Sequence, residues 1–593
     1  MHISFIDWLI VISFLLITLF IGIFLSKKSG ENSLQFFLSG RNMPWWLLGI
    51  SMVATTFSTD TPNLVTDIVR NNGVAGNWVW WVFLLTGLLT VFVYAKLWRR
   101  SNVNTDIEFY EIRYSGKPAK FLRLFRSIYL GIFFNVLAMG GISLAAIKIG
   151  QIMLGLTAVE TIGAVGFITL IFSVVGGFRG VVYTDFLLFF VAMSGSIGAA
   201  YYIVNMPEIG GVEKLISHPN VIGKISMLPD FSNSEQLIML LIIPLAVQWW
   251  SAWYPGAEPG GGGYIAQRML AAKNEKNAIG ATFFFNIMHY ALRPWPWIII
   301  ALASLVLFPD INSIQEAFPA VSEDKLGHDL AYSAMLTKLP VGLLGLVLAS
   351  LVAAYMSTIS THLNWGASYI VNDLYLRYIN PTASEKKLVY IGRLSTILLF
   401  IASSLLALIL TNALQLFDFI LMFGAGTGLI FILRWFWWRI NAWSEISAIF
   451  TSGIVSIIFN IPIFSEKLFG EQGVMDDFLR FPMVVLITTC IWLIITFLTS
   501  PEPKECLLNF YIKIKPGGPG WQKIVGKEKI KAQKWNVPSA IVAIIFSLLM
   551  IYCLLFATGY FIYGNNLVAT SLTIVSFICS MILIKMWKRL TID

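Results

Sequence analysis

The sequence predicts an all-helical protein embedded in a membrane, crossing it about fifteen times. Three observations carry that expectation. Hydrophobic residues make up 57% of the 593-residue chain and charged residues only 12%, far from the balance of a water-soluble domain. Apolar runs of about 20 residues, long enough to cross a roughly 30 Å hydrocarbon layer, recur along almost the whole chain. No run has the ten-residue alternation of a barrel strand, and backbone groups in lipid must bond within their own segment, so these runs are expected to be helices.

In chain order the spans are expected at approximately 5–25, 43–69, 76–98, 124–153, 158–175, 180–204, 237–256, 278–307, 339–368, 389–411, 414–437, 443–463, 481–499, 539–561 and 565–587. The first has no basic start and no small-residue cleavage site before Lys27 and Lys28, so it is expected to be retained as a helix. Placing alternate connections on opposite sides separates their charges. One side collects KLWRR with KPAKFLRLFR, QRMLAAKNEK, SEKKLVYIGR, RWFWWR, the segment from Lys504 to Lys534, and KMWKR; the other collects acidic loops such as Asp310 to Asp329 and Glu466 to Asp477. The excess of positive loops on the cytoplasmic side then puts the amino terminus outside and the carboxyl terminus in the cytoplasm of a plasma membrane. The net charge of +9 is thereby read as topology rather than as a nucleic-acid footprint. The longest connection, about 500–538, contains KPGGPG and eight lysines and reads as a solvated loop, not a second domain. Cys490, Cys506, Cys553 and Cys579 have no metal-type spacing and read as packing residues.

Two spans break the apolar pattern. The span at 43–69 holds Thr55, Thr56, Ser58, Thr59, Asp60 and Thr61, followed by Pro62. Proline lacks a backbone donor and disfavours helical geometry in the residue before it, so a break is expected from Phe57 to Pro62. A carboxylate at that depth costs about 2.5–3.5 kcal/mol unless it faces water or an ion, which weighs against a simple proline kink. The span at 339–368 carries Ser357, Thr358, Ser360, Thr361, His362 and Asn364 in eight residues. Ala354, Ser357, Thr358 and Thr361 lie on one helical stripe. Such a stripe serves close helix packing or, combined with the carbonyls freed at the first break, a neutral oxygen cage for a sodium ion.

Four stretches then carry a resemblance to the sodium:solute symporter family, over about residues 5–500. They are FFLSGRNMPWWLLGISMVAT (36–55), GGFRGVVYTDFLLFF (176–190), GYIAQRMLAAKNEKNA (263–278) and LVLASLVAAYMSTISTHLN (346–364). The resemblance implies the leucine-transporter type of fold: a first helix and loop at 1–42, a transport core of five helices repeated in inverted topology at 43–437, and accessory helices at 438–593. It implies a sodium site formed by the carbonyls of Ala54, Phe57 and Ala354 with the hydroxyls of Ser357 and Thr358. A second sodium, present in some members, is implied at Asp185, Ser357, Ser360 and Thr361; a structural pairing of Asp185 with Arg179 is the competing reading.

Solute contacts are less well specified. The glutamine, carboxylate and lysine used by the family's sugar carriers correspond here to Thr61, Asn77 and the His289–Tyr290 neighbourhood, so that constellation is not reproduced. Thr56, Asp60, Trp78, Trp253, Tyr254 and Asp418 complete the expected lining, with Trp80, Trp81, Trp249 and Trp250 as further stacking faces and Arg293 as an intramembrane cation. Within WYPGAEPGGGGYIAQR, Glu258 is read either as a gate partner of Arg268 or as a solvated loop charge. The resulting expectation is a sodium-coupled importer of a small polar organic solute, with sugars ahead of amino or organic acids. A sodium-responsive sensor is a remote alternative. A membrane enzyme is disfavoured by the lack of an H-E-x-x-H or serine-elbow motif. The expected partners are the solute, one sodium ion with a second possible, and the lipid bilayer; neither a nucleic acid nor an obligate protein partner is expected.

Overall fold

The computed structural model describes residues 3–251, 258–319, 321, 323–410, 420, 422–460, 477–526 and 535–591. Among them there is no strand, and a single isolated parallel bridge joins Met43 to Ala272. The principal helices are α1 (Phe5–Leu25), α2 (Trp45–Thr55), α3 (Asp60–Asn72), α4 (Val74–Ser101), α5 (Gly116–Leu154), α6 (Ala158–Val204), α7 (Ser234–Ala246) and α8 (Gly263–Ala271). They continue with α9 (Glu275–Leu307), α10 (Leu343–Ile379), α11 (Glu385–Ile409), α12 (Gly428–Leu433), α13 (Ala442–Phe459), α14 (Leu479–Leu498), α15 (Val537–Ile562) and α16 (Asn566–Trp587). Eleven of these, all except α2, α3, α7, α8 and α12, are long and apolar enough to cross a membrane. The chain is a multi-pass membrane protein.

The expected spans do not appear as fifteen separate long helices. The runs at 158–175 and 180–204 form one element, α6, bent at Gly177, whose φ of 55° would strain any residue with a β-carbon. The run at 43–69 is two short helices, and the run at 237–256 yields, among the described residues, α7 and a 3-10 turn at Gln248–Trp250. Of the run at 414–437, residues 414–419 and 421 lie outside the described residues, and the remainder contains α12.

The break falls at Thr56–Thr59, slightly before the expected Phe57–Pro62. Pro62 sits instead in the first turn of α3, where the backbone N–H groups have no intrahelical acceptor and a missing donor costs nothing. Asp60 opens α3, where its negative charge complements the helix dipole.

Two contacts hold this broken element in place. At one end, Met43 N donates to Ala271 O at 3.1 Å and Lys273 N to Met43 O at 3.0 Å, tying the entry of α2 to the exit of α8. Farther along, α6 and α10 approach so closely that a β-carbon on Gly195 would lie 2.9 Å from that of Ser350. Small residues permit this approach, which brings the middle of α10 against α2 and α6. The start of α10 is capped by α1: Asp7 Oδ1 accepts the amides of Gly342 and Gly345, both at 2.7 Å.

Candidate ion and solute sites

The hydroxyl stripe of α10 meets the end of α2 just where α2 stops. Thr358 Oγ1 donates to Thr55 O at 2.8 Å and lies 3.1 Å from Ala354 O on its own helix. Thr55 Oγ1 and Thr361 Oγ1 are 3.1 Å apart. Ala54, Phe57, Ala354, Ser357 and Thr358 are all buried at this junction. The set is hydroxyl and carbonyl oxygen, the donor chemistry of a hard monovalent cation. One detail differs from the expected ligand list. The carbonyl reached by Thr358 is that of Thr55, while Ala54 O accepts the amide of Phe57 at 3.1 Å to close the final turn.

Ser357 faces the other way, toward Asp185 on α6. Its hydroxyl donates to Asp185 Oδ1 at 2.6 Å, and Ser51 donates to Oδ2 at 2.5 Å. The guanidinium of Arg268 on α8 occupies the middle of this cluster. Arg268 donates to Thr361 Oγ1 at 2.8 Å, Thr55 Oγ1 at 2.9 Å, Ser51 Oγ at 3.1 Å and Tyr264 O at 3.3 Å, and lies 3.6 Å from Asp185. Asp185 and Arg268 are both fully buried. Asp185 therefore pairs with Arg268, and Arg179 lies over the ring of Tyr183 instead. Ser360 Oγ donates to Ser357 O at 3.1 Å.

Glu258 does not pair with Arg268. It makes ion pairs with Arg126 and, at 3.4 Å, with Arg434, which in turn lies 3.3 Å from Glu445. These arginines come from α5 and from the segment following α12, so Glu258 ties the start of the α8 region to distant helices. Glu258 also borders a cavity of about 420 Å³, open space at its mouth included, with Thr86, Thr90, Asn286 and Tyr290.

A second cavity opens beside the break. It measures about 580 Å³, again with its mouth included, and is lined by Thr55, Thr56, Ser58, Asp60, Thr61, Leu64, Val65, Trp80, Tyr264, His289 and Arg293. Asp60 accepts a hydrogen bond from Ser58. Thr56 Oγ1 lies 3.1 Å from His289 Nδ1 and accepts from Arg293 Nη1 at 2.8 Å. One wall is therefore acidic, one basic and one aromatic, a pattern suited to a polar ligand with an apolar face.

Of the expected solute residues, Thr56, Asp60, Thr61 and His289 share this cavity. Asn77, Trp78 and Tyr290 do not line it. Asn77 donates to Val74 O at 2.9 Å and accepts from Trp80 Nε1 at 2.9 Å; Trp78 donates to Met227 O at 3.0 Å and packs on Tyr552. Tyr290 stacks behind Trp80, with ring centroids 6.1 Å apart, and faces the smaller cavity. For Asn77 and Trp78 the physical cause is the start of α4, where a 3-10 turn at Val74–Asn77 passes into helix and changes the phase of the side chains. Trp253, Tyr254 and Asp418 lie outside the described residues. Ser51 and Tyr264 carry no signal in the sequence beyond their spacing; each lies one helical turn before a residue with one, Ser51 before Thr55 and Tyr264 before Arg268.

A model of the "Sodium:solute symporter family" matches residues 36–451 of the chain. The "Sodium/glucose cotransporter" of Vibrio parahaemolyticus is 26% identical over 523 residues, covering 84% of this chain and 92% of that protein. "Sodium/myo-inositol cotransporter 2" of Homo sapiens is 25% identical over 544 residues, covering 84% and 77%. Among solved structures, the fold is similar to that of the "Substrate-bound outward-open state of a Na+-coupled sialic acid symporter", with a TM-score of 0.66, 19% identity, and coverage of 84% of this chain and 99% of that one.

Proposed function

The chain belongs to the sodium:solute symporter family, and from that premise we propose that it imports a sugar together with sodium by alternating access across a plasma membrane. The relatives named as sodium/glucose and sodium/myo-inositol cotransporters support the sugar class. The observation that carries the mechanism is the contact of Thr358 with the carbonyl of Thr55, at the point where α2 ends. A broken helix beside a hydroxyl-bearing one supplies oxygens that an apolar membrane interior otherwise lacks.

In this reading the sodium is held by carbonyls of the α2 terminus, from Ala54 to Phe57, with Ala354 O, Thr358 and Ser357, whose hydroxyl turns from Asp185 to the ion. The solute occupies the cavity beside Asp60, Trp80 and His289. The two sites share the stretch from Thr55 to Asp60, so an ion that orders the break also orders one wall of the solute cavity. By linkage, sodium and solute then raise each other's affinity by the same factor. A potential of 100 mV supplies about 2.3 kcal/mol per charge, and a tenfold sodium gradient about 1.4 kcal/mol, enough for several-hundredfold accumulation with one ion.

The stoichiometry favoured by this geometry is one sodium. Two of the residues implied for a second ion, Asp185 and Thr361, already contact Arg268, and a second sodium there requires that guanidinium to withdraw. The amino terminus is read as outside and the carboxyl terminus as cytoplasmic, from the charge separation of the loops. No catalytic role is assigned.

The test is uptake into proteoliposomes under an inward sodium gradient, with labelled hexoses, inositols, amino acids and carboxylates offered in parallel. Sodium-dependent accumulation of a sugar above equilibrium is expected. Accumulation unaffected by replacing sodium with potassium would remove the coupling, and accumulation confined to amino acids would remove the sugar.

A further inference from the structure

The solute cavity contains a cation whose carboxylate-binding edge has no partner. Arg293 is only 2% exposed, and its Nη1 is used by Thr56 Oγ1 at 2.8 Å and Val53 O at 3.3 Å. Its Nε is buried without a hydrogen-bond partner, and no carboxylate makes an ion pair with the guanidinium among the described residues. The side chain is held in place by the rings of Trp297 and Phe57, 5.1 and 5.9 Å from the guanidinium carbon. Arg268, Arg123 and Arg434, also buried, each meet at least one carboxylate: Asp185, Asp373 and Glu445. A buried, unpaired charge is strongly unfavourable unless something completes it. Asp60 lines the same cavity and accepts from Ser58; it acts on Arg293 through space, without a direct ion pair.

The geometry of guanidinium narrows what completes it. With Nη1 occupied, the edge left over is Nε–H and Nη2–H, two roughly parallel donors that match the two oxygens of a carboxylate. On the proposed reading that the solute is a hexose-type sugar, on which this inference rests, the ring stacks on Trp80 and its hydroxyls donate to Asp60. We propose that the transported sugar is an acid, a hexuronate whose carboxylate is held by the free edge of Arg293. A hexuronate keeps the hexose ring and replaces only the C6 hydroxymethyl by a carboxylate, so one charged contact is added to an otherwise unchanged set.

The experiment compares matched pairs in proteoliposomes of the full chain under an inward sodium gradient: D-glucuronate against D-glucose and D-galacturonate against D-galactose. A hexuronate is expected to show a half-saturation concentration about 10- to 100-fold below that of its hexose. Arg293→Gln is expected to remove most of that preference, read as the ratio of the hexuronate constant to the hexose constant in the same variant, and Arg293→Lys, which keeps the charge but not the fork, to fall between. A readout that needs no variant is the response to membrane potential. The acid carries one negative charge into the vesicle, so a negative-inside potential should accelerate its uptake less than that of a neutral hexose.

Sodium-driven hexose uptake with equal or weaker recognition of the hexuronates would overturn the inference and leave the sugar reading standing. Sodium-driven uptake of L-proline with neither sugar nor hexuronate would overturn both. Equal acceleration of acid and hexose by the potential would also count against the carboxylate, whatever the variants do.

Discussion

Two clusters built from the same residue types meet at Thr55 and Thr56, the last residue of α2 and the first of the break, and are left in opposite states. Thr55 belongs to the cluster of Asp185, Arg268, Ser51, Ser357 and Thr361, in which acid and base lie 3.6 Å apart and each is further bonded to hydroxyls. Thr56 belongs to the cavity of Asp60, Arg293 and His289, in which acid and base make no ion pair and Arg293 Nε has no acceptor. The first is complete without a ligand; the second is not. Composition alone therefore does not separate a structural ion pair from a binding site. What separates them is whether the polar atoms have been satisfied within the protein.

The comparison is most exposed to substitutions of the two acids. Asp185→Ala strands the guanidinium of Arg268 in the interior and is expected to cost about 3–5 kcal/mol, read as a large fall in melting temperature in detergent. Asp60→Ala, at a cavity wall, is expected to cost less than about 1 kcal/mol while abolishing concentrative uptake. Interchanged effects, with Asp60 structural and Asp185 dispensable to stability, would dissolve the distinction. The next effect concerns sodium. Thr358→Ala and Ser357→Ala are each expected to raise the half-saturating sodium concentration about tenfold, and Thr358→Ser by much less. Flux assays over a sodium series measure it, and an unchanged value in both alanine variants would detach the ion from α10.

Arg268→Ala sharpens the same contrast from the basic side. Removing the internal cation leaves the Asp185 oxygens free, so sodium should then stabilise the variant measurably more than the parent, by the mass-action relation for a ligand that binds the folded state. In the parent, the sodium Hill coefficient should be near one. A coefficient near two would mean that Arg268 vacates the cluster during the cycle. The smallest expected effect is at Asp7→Ala, which removes the acceptor for Gly342 and Gly345 and should cost about 1 kcal/mol with little change in ion or solute constants.

The sequence made the broken span legible because Asp60 and Pro62 violate local rules that nothing in an apolar helix relieves. It also made the stripe of α10 legible because hydroxyls at helical spacing share one face. Its limits were physical. The position of Asn77 and Trp78 depends on a 3-10 turn that changes the phase of the side chains, and no composition signal marks that turn. The pairing of Asp185 with Arg268 links residues on α6 and α8 that only tertiary packing brings together, and the same holds for Glu258 with Arg126 and Arg434. A one-dimensional reading identifies charged residues that need partners; it does not say which partner arrives.

The division of the second span into α2 and α3 also bears on how the chain enters its membrane during synthesis. The halves have 11 and 13 residues, about 16 and 20 Å of helix, so neither reaches across the bilayer alone. Their polar seam deprives the pair of the uninterrupted apolar signal by which an insertion machinery recognises a single span. Lateral release of this segment into lipid should therefore wait until later helices have been made to shield it, making the piece that forms both sites one of the last parts of the molecule to settle.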